Sequence, residues 1–307
     1  MSSGAKQLLQ IAKETTVGTT PTTFARQTLA FTEVSLNQSV DKTESASIVD
    51  NRLQQASMIT GAEYSGDIKA EAQYGAYDDL FAGVAFSNWA ANVLTFGGTT
   101  RQTFSALLGY TDIANYHTFA GLHVNTLDIT IPDSGLITFG FGFMGMKRTP
   151  ASVAPAGTIT PALTTPRMSN VSVGDILVDG VSVKGKACIS SFSFKWDNSM
   201  QVQKCLGSGL EIAAILETVA KGTGNFEMAW ATESAKIYEK QFTNATISLS
   251  IPITDTAGNK YVLFIPKVEL KASLATGGNS DILKSSFEYT VVEQAPTLTR
   301  TPIVVGP

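Results

Sequence analysis

Residues Gly61–Val84, GAEYSGDIKAEAQYGAYDDLFAGV, change period partway along, and this shift constrains the fold more than any other feature. Tyr64, Gly66, Ile68, Ala70 and Ala72 fall on one parity, with Asp67, Lys69 and Glu71 on the other. A period of two predicts a strand with one buried and one wet face. Tyr77, Leu80, Phe81 and Val84 then recur at helical spacing, and Asp78 and Asp79 occupy the first turn, where carboxylates suit the helix dipole. The same strand–helix unit returns in Thr223–Phe242, where Gly224, Phe226, Met228 and Trp230 answer Gly66, Ile68, Ala70 and Ala72 at one offset. Tyr238 answers Leu80 at that offset, so a small β-plus-helix module is expected twice.

The flanking segments extend the parallel. Phe192, Phe194 and Trp196 of Ile189–Met200 match Thr32, Val34 and Leu36 of Leu29–Val40. Polar intervals, 41–60 and 201–222, separate these strands from the two units, and loops of that length are usually functional or ordered by a partner; part of the second reads alternatively as strand or helix, because Leu210–Val219 is strongly apolar. Further strands are predicted at Val93–Phe96, Arg101–Tyr110, Tyr116–Ile131 and Leu136–Lys147, then at Ala245–Ile253, Lys260–Leu274 and Ile282–Val292. A short helical turn is expected around Leu8, Leu9 and Ile11, followed by the polar arm ETTVGTTPTT. Asn170–Val183 reads as a hairpin around Asp179-Gly180. Prolines 150, 155, 161 and 166 make Lys147–Met168 an extended linker. The expected layout is therefore a first module at 1–148, a linker at 149–168 and a second module at 169–307, ending in an extended arm. The fold class is mainly β with short flanking helices, a β-rich α+β chain.

Function classes are narrowed by what the chain offers chemically. Apolar residues make up 43% and charged residues 16%, so the surface is mostly uncharged polar, as suits a protein held in an assembly. A net charge of −4 argues against a phosphate-gripping protein. Cys188 and Cys205 form no disulfide framework and read as buried free thiols, and His117 and His123 have no partners at metal-ligand spacing. No apolar run approaches a membrane span, and the N-terminus lacks a signal-peptide pattern, so a soluble protein made in a cytoplasm is expected. Gly140 and Gly142 alternate with Phe139, Phe141 and Phe143, which predicts a core strand whose glycine side is approached by another sheet or chain, not a dinucleotide loop. Asp78 and Asp79, adjacent on a helix, diverge too far to share a proton. No catalytic residue, cofactor site or metal site emerges, and no enzyme is expected.

The arm Glu14–Pro21, the strand around Ser35–Asn37 and the segment Tyr74–Leu80 resemble the tail tube proteins (major tail proteins) of long-tailed, siphophage-type bacteriophages. The match is best over residues 14–86; beyond that only the element pattern persists. The resemblance implies two tandem β-sandwich or incomplete-barrel modules, each with one helix, in a structural virion protein of the tail, assembled in the host cytoplasm. Its rings would stack into a tube that conducts double-stranded DNA during ejection without binding it tightly. A tape-measure protein and tail terminator or baseplate proteins would be its partners besides itself, with no membrane partner. A chain with two modules would close a pseudo-hexameric ring with three copies. Asp41, Lys42, Glu44, Asp50 and Arg52 become candidates for a ring-stacking loop. Tyr74, Tyr77, Asp78 and Leu80 carry the family motif, and Phe226, Met228 and Trp230 are expected inward-facing core residues of the second module. The competing readings are another virion component (terminator, baseplate or decoration protein) and a carbohydrate-binding adhesion module.

Overall fold

The computed structural model describes residues 2–303. Its first half runs β1 (Gln7–Lys13), β2 (Arg26–Thr28), β3 (Glu33–Val34), β4 (Asn37–Glu44), β5 (Ser57–Glu71), α1 (Asp78–Ala85), β6 (Val93–Thr95), β7 (Thr103–Tyr110), β8 (Asn115–Ile131), β9 (Thr138–Gly145) and β10 (Lys147–Ala151). The short strands β11 (Ile159–Thr160), β12 (Leu177–Val178) and β13 (Val181–Ser182) follow. The rest comprises β14 (Ile189–Asp197), β15 (Gln201–Gln203), β16 (Ala214–Leu216), β17 (Lys221–Ala229), α2 (Thr232–Lys240), β18 (Ile247–Thr254), β19 (Lys260–Ala272), β20 (Lys284–Val291) and β21 (Thr297–Thr301). The fold is mainly β, its sheets open and the two α-helices among the described residues short.

The ladders repeat. In the first half β3 and β4 pair with β5, β5 with β9, β9 with β8, and β8 with β7. In the second, β14 pairs with β17, β17 with β20, β20 with β19, and β19 with β18. Each long strand, β8 and β19, also carries a later strand on its N-terminal end, β10 and β21 respectively. Both bend at a register shift, near Val124 in β8 and beside Leu249 in the partner ladder of β19, which lets one strand serve two layers. The C-terminal half of β8 then receives β14 on its other edge, so the two halves share one sheet ordered β3/β4–β5–β9–β8–β14–β17–β20–β19.

One face of this sheet is apolar because the alternation places Ile68, Ala70, Phe139, Phe141, Leu127, Ile129, Phe194, Phe226, Met228 and Phe287 together, all buried. Helix α1 buries Leu80, Phe81 and Val84 against it, and Tyr77 sits just before the helix with its hydroxyl donating to the Ala30 carbonyl at 2.8 Å. Burial pushes the Tyr77 phenol up to about 12, so it remains a donor. The core is continuous across the halves: Phe81 lies edge-on to Tyr261, and Phe96 packs on Phe194 and Trp196. Asp179 and Gly180 both have positive φ, as the hairpin between β12 and β13 requires.

Several expectations change. Leu8, Leu9 and Ile11 belong to strand β1, which pairs along its whole length with β7; a short apolar run does not by itself distinguish a helix turn from a buried strand. Val34 stands opposite Ile68 as Phe192 stands opposite Phe226, so Val34 and Leu36 correspond to Phe192 and Phe194, two residues from the sequence match. Residues 72–77 precede α1 but only 230–231 precede α2, so no single offset carries from strand into helix, and Tyr238 does not answer Leu80. Trp230 is half-buried beside Tyr238 at the end of its strand, whereas Ala72 is fully buried. Cys188 and Cys205 are exposed and free.

The proline-rich stretch is a strap, not a free tether. Met168 exchanges backbone bonds with Ala72 and Ile137, Thr165 bonds Tyr74 and Gln73, and β11 runs parallel to β2, all on the first half. Of the C-terminal arm, β21 pairs with β19 and with β6 of the same chain; residues 304–307 lie outside the described residues.

Candidate assembly surfaces

The face of the shared sheet opposite the core is polar, and three features of the chain build it. Alternation puts Asp67 and Lys69 of β5, Thr126, Asp128 and Thr130 of β8, Ser193, Lys195 and Asp197 of β14, Asn225 and Glu227 of β17, and Glu288 of β20 on it. Cross-strand neighbours bring opposite charges together: Lys69 with Glu33 at 2.8 Å, Lys284 with Glu227 at 3.2 Å, Lys271 with Glu288 at 3.4 Å, and Lys195 directly opposite Asp128. Gly142 completes it, because a side chain there would strike Thr126 Oγ1 at 2.3 Å and Asp67 Oδ1 at 3.0 Å. What approaches the glycine side is thus a pair of polar side chains from adjacent strands, not another sheet. Gly140 and Gly142 floor a trough of about 480 Å³ between Asp67, Lys69, Asp128 and Lys195. Burial in this trough raises the Asp128 carboxyl above its usual range, with Lys195 opposing the shift. The face holds more carboxylates than ammonium groups.

The two long polar intervals behave differently. Residues 41–60 continue the β4–β5 hairpin outward, with Asp41, Lys42 and Glu44 on β4 and Asp50 and Arg52 in the tip, all exposed. Ile48 is fully exposed there, and Leu53 and Met58 are 78% and 75% exposed. The second interval folds back as the β15–β16 hairpin onto the first half. Met200, Ile212 and Ile215 pack against Ala62, Tyr64 and Phe86, and Ile212 N–H donates to the Met146 carbonyl at 3.0 Å. Arg101 pairs with Glu217 at 2.6 Å and Lys204 with Asp41 at 3.3 Å across the same contact.

The motif residues of α1 serve as a clasp between the halves. Asp78 accepts from the Tyr261 hydroxyl with one oxygen and pairs with Arg300 through the other, and Arg300 lies 4.5 Å over the Trp89 ring. Tyr261 Oη also accepts from Gly75 N–H at 2.8 Å, and its ring lies 4.9 Å from that of Tyr74. Burial, and then the Asp78 charge, raises the Tyr261 phenol well above its usual range, so it stays a donor. Asp78 is therefore more than a dipole charge. Arg300 and Tyr261 escape sequence reading, since they stand 222 and 183 residues from Asp78.

The arm motif has an equally local explanation. Glu14 is buried, and its carboxylate accepts from Gly18 N–H at 2.9 Å, Gly121 N–H at 2.8 Å and Ser105 Oγ at 2.6 Å. These bonds pin the arm to the bend of β8, where Gly121 has φ +67° and a side chain would enter Met146. His123 is buried with Nδ1 2.9 Å from the Gly121 carbonyl, and His117 Nδ1 lies 3.2 Å from Arg148. Among the described residues no His, Cys, Asp or Glu cluster could hold a metal ion, and no helix is long and apolar enough to cross a membrane.

A search of curated proteins finds no match. The family model described as phage tail tube protein matches residues 4–291, spanning both halves of the sheet and both helices. The chain therefore belongs to the phage tail tube protein family, structural components of the virion tail that self-assemble into a tube.

Proposed function

We propose that this chain is the major tail protein of a siphophage-type tail, built as a duplicated module and polymerising as stacked rings of three copies with approximate sixfold symmetry. The observation that carries the reading is the repeat of one strand order in both halves, side by side in a single sheet with one continuous polar face. Three such sheets would give six similar sectors, and the polar face would line the channel. The tube would hold a tape-measure protein before ejection, meet terminator and baseplate proteins at its ends, and assemble in the host cytoplasm. Native mass spectrometry of rings and electron microscopy of the purified protein test this. Three chains per ring is the expected count, six would overturn the duplication argument, and a protein that never polymerises would favour a terminator, decoration or adhesion role.

The exposed hairpin tip is the proposed stacking element, with Asp41, Lys42, Glu44, Asp50 and Arg52 at its polar positions and Ile48 and Leu53 as apolar contacts. Replacing Asp41–Met58 by a short glycine-containing turn is expected to leave folded subunits that do not form tubes. Tubes of normal length from this variant would remove the loop from the stacking interface.

The proposed channel wall is a passive one. Its carboxylates repel phosphate, Lys69, Lys271 and Lys284 are ion-paired, and Lys195 and Lys221 stand opposite Asp128 and Asp197 across the ladders, which disfavours tracking of a DNA backbone. Duplex DNA is expected to show no retardation by assembled tubes at physiological salt. A persistent gel shift that falls steeply with added salt would contradict the passive channel.

A further inference from the structure

We infer that the β15–β16 hairpin is a strut that sets the angle of the β4–β5 hairpin, so that the two polar intervals divide one task. The first reaches outward and the second aims it. The inference rests on the stacking role proposed for the β4–β5 tip and adds the residues that position it. The need for a strut follows from where the sheet stops. β5 pairs with β9 from Glu71 back to Tyr64, and β9 ends at Gly145. Beyond that point residues 57–63 pair with β4 alone among the described residues, so the outer hairpin is a ribbon of two strands. Such a ribbon is marginally stable by itself. This one also carries a bulge: Asp41 stands opposite Gly61 and Lys42 opposite Ile59, which leaves Thr60 as an extra residue on β5. A bulge bends the strand that holds it, so the ribbon has a hinge at Thr60-Gly61, just past the last rung on β9.

The second half grips β5 on both faces at this hinge. Alternation turns Ala62 and Tyr64 to one face and Gly61 and Glu63 to the other. On the first face, Ile212 and Ile215 pack against Ala62 and Tyr64, and the Tyr64 hydroxyl donates to the Leu210 carbonyl at 3.1 Å. On the second, Lys204 Nζ lies 3.3 Å from Asp41 and 4.0 Å from Glu63. A Cβ at Gly61 would sit 2.7 Å from Asp41 Oδ2 and 3.2 Å from Lys204 Nζ, so the glycine leaves room for this pair at the bend itself. One ammonium thus joins both strands of the ribbon to the second half.

The strut is itself tied down. Ile212 N–H donates to the Met146 carbonyl at 3.0 Å, immediately after β9, and Arg101, just before β7, pairs with Glu217 at 2.6 Å. Thr218 closes the base, its N–H donating to the Asn198 carbonyl at 3.3 Å and its hydroxyl to the Ser199 carbonyl at 2.6 Å. These ties carry the position of the shared sheet out to the hinge. Residues 201–222 are spent on this contact and form no second projecting ribbon among the described residues. Each copy therefore offers one aimed tip, and a ring of three copies offers three.

Charge reversal tests the strut without opening the core, because the side chains of Lys204, Arg101 and Glu217 are 46%, 41% and 37% exposed. Lys204→Glu sets a third carboxylate beside Asp41 and Glu63, and Arg101→Glu sets one against Glu217. Both variants should melt as the unaltered chain does and form rings, but the rings should not stack into tubes. In unassembled subunits, hydrogen exchange should quicken by about tenfold or more in residues 39–44 and 57–61 and stay unchanged in 64–71. Neither Arg101 nor Glu217 lies on that ribbon, so a pair that only stabilised the fold would not move this readout. Arg101→Glu combined with Glu217→Arg restores opposite charges and should bring back slow exchange and tubes; Lys204→Arg should keep both. Unchanged ribbon exchange in the single variants, normal tubes from a variant whose ribbon exchanges faster, or no recovery in the reversed pair overturns the strut. Replacement of Asp41–Met58 separates the reading beneath it. Normal tubes from that chain remove the stacking role itself, whereas tubes lost there and kept in Lys204→Glu and Arg101→Glu overturn the strut alone.

Discussion

Phe226→Ala is expected to lower the unfolding free energy by about 3–5 kcal/mol, while Trp230→Ala, one residue past the end of the same strand, should cost roughly half as much. Phe226 is 1% exposed and lies in the apolar face where β14, β17 and β20 meet. Its ring stacks on Phe287 at 5.0 Å and touches Tyr289 at 6.2 Å, so truncation opens a cavity whose walls are backbone-braced strands and cannot collapse into it. Trp230 follows the last residue of β17, is half-buried and meets Tyr238 edge-on. Water fills the space a truncation leaves at such a rim. Urea denaturation of the two variants under identical conditions makes the comparison. A larger loss for Trp230→Ala would show that the rim beside α2, not the shared sheet, carries the second half.

The contrast between those residues shows how far alternation can be read. Parity alone identified the buried side of β5 and β17, since a one-residue slip would expose Ile68 and Phe226 together. It could not say where the sheet ends, so Trp230, which falls on the buried parity but past the last ladder pair, reads as core and is rim. The glycine pair Gly66 and Gly224 was legible as a repeat, and its cause is spatial. A side chain at Gly66 would meet Ser35 O at 2.4 Å, and one at Gly224 would meet Ser193 O at 2.2 Å, the same approach of a neighbouring strand in both halves. Sequence period carries no record of which strand crosses above it.

Long-range partners stayed hidden for the same reason. The prolines of 147–168 announce extended backbone, but not that the segment is strapped down through Met168 and Thr165. The apolar run Leu210–Val219 marks the second polar interval as partly ordered, and β16 lies within it, but the run does not name Ala62 and Tyr64 as the docking site of Ile212 and Ile215. The candidate loop residues Asp50 and Arg52 remain in an exposed tip whose contacts, on the tube reading, belong to another ring. An assembling chain leaves part of its pattern unexplained until its neighbours are present.

Asp78→Ala is expected to destabilise the chain by about 2–3 kcal/mol and to loosen the contact between its halves. The carboxylate has two partners from the second half, the Tyr261 hydroxyl and the Arg300 guanidinium, and its side chain is 13% exposed. Removing it leaves the Arg300 charge over Trp89 without its counter-ion and the buried Tyr261 hydroxyl without an acceptor. Arg300 is 30% exposed, so water recovers part of the loss, and the expected cost lies below that of breaking a fully buried pair. Arg300→Ala should cost less than Asp78→Ala, because Tyr261 continues to donate to Asp78. A double-mutant cycle isolates the pair: a coupling of about 1–2 kcal/mol is expected, since the groups share one site. Asp78→Asn keeps an acceptor for Tyr261 and loses only the charge, so it should fall between wild type and Asp78→Ala. Hydrogen exchange adds the spatial test, with faster exchange expected at β6 and β21, the ladder nearest the clasp, and unchanged protection in β5 and β9. Additive single-variant losses, with no coupling and no change at β6 and β21, would reduce Asp78 to a charge at a helix N-terminus.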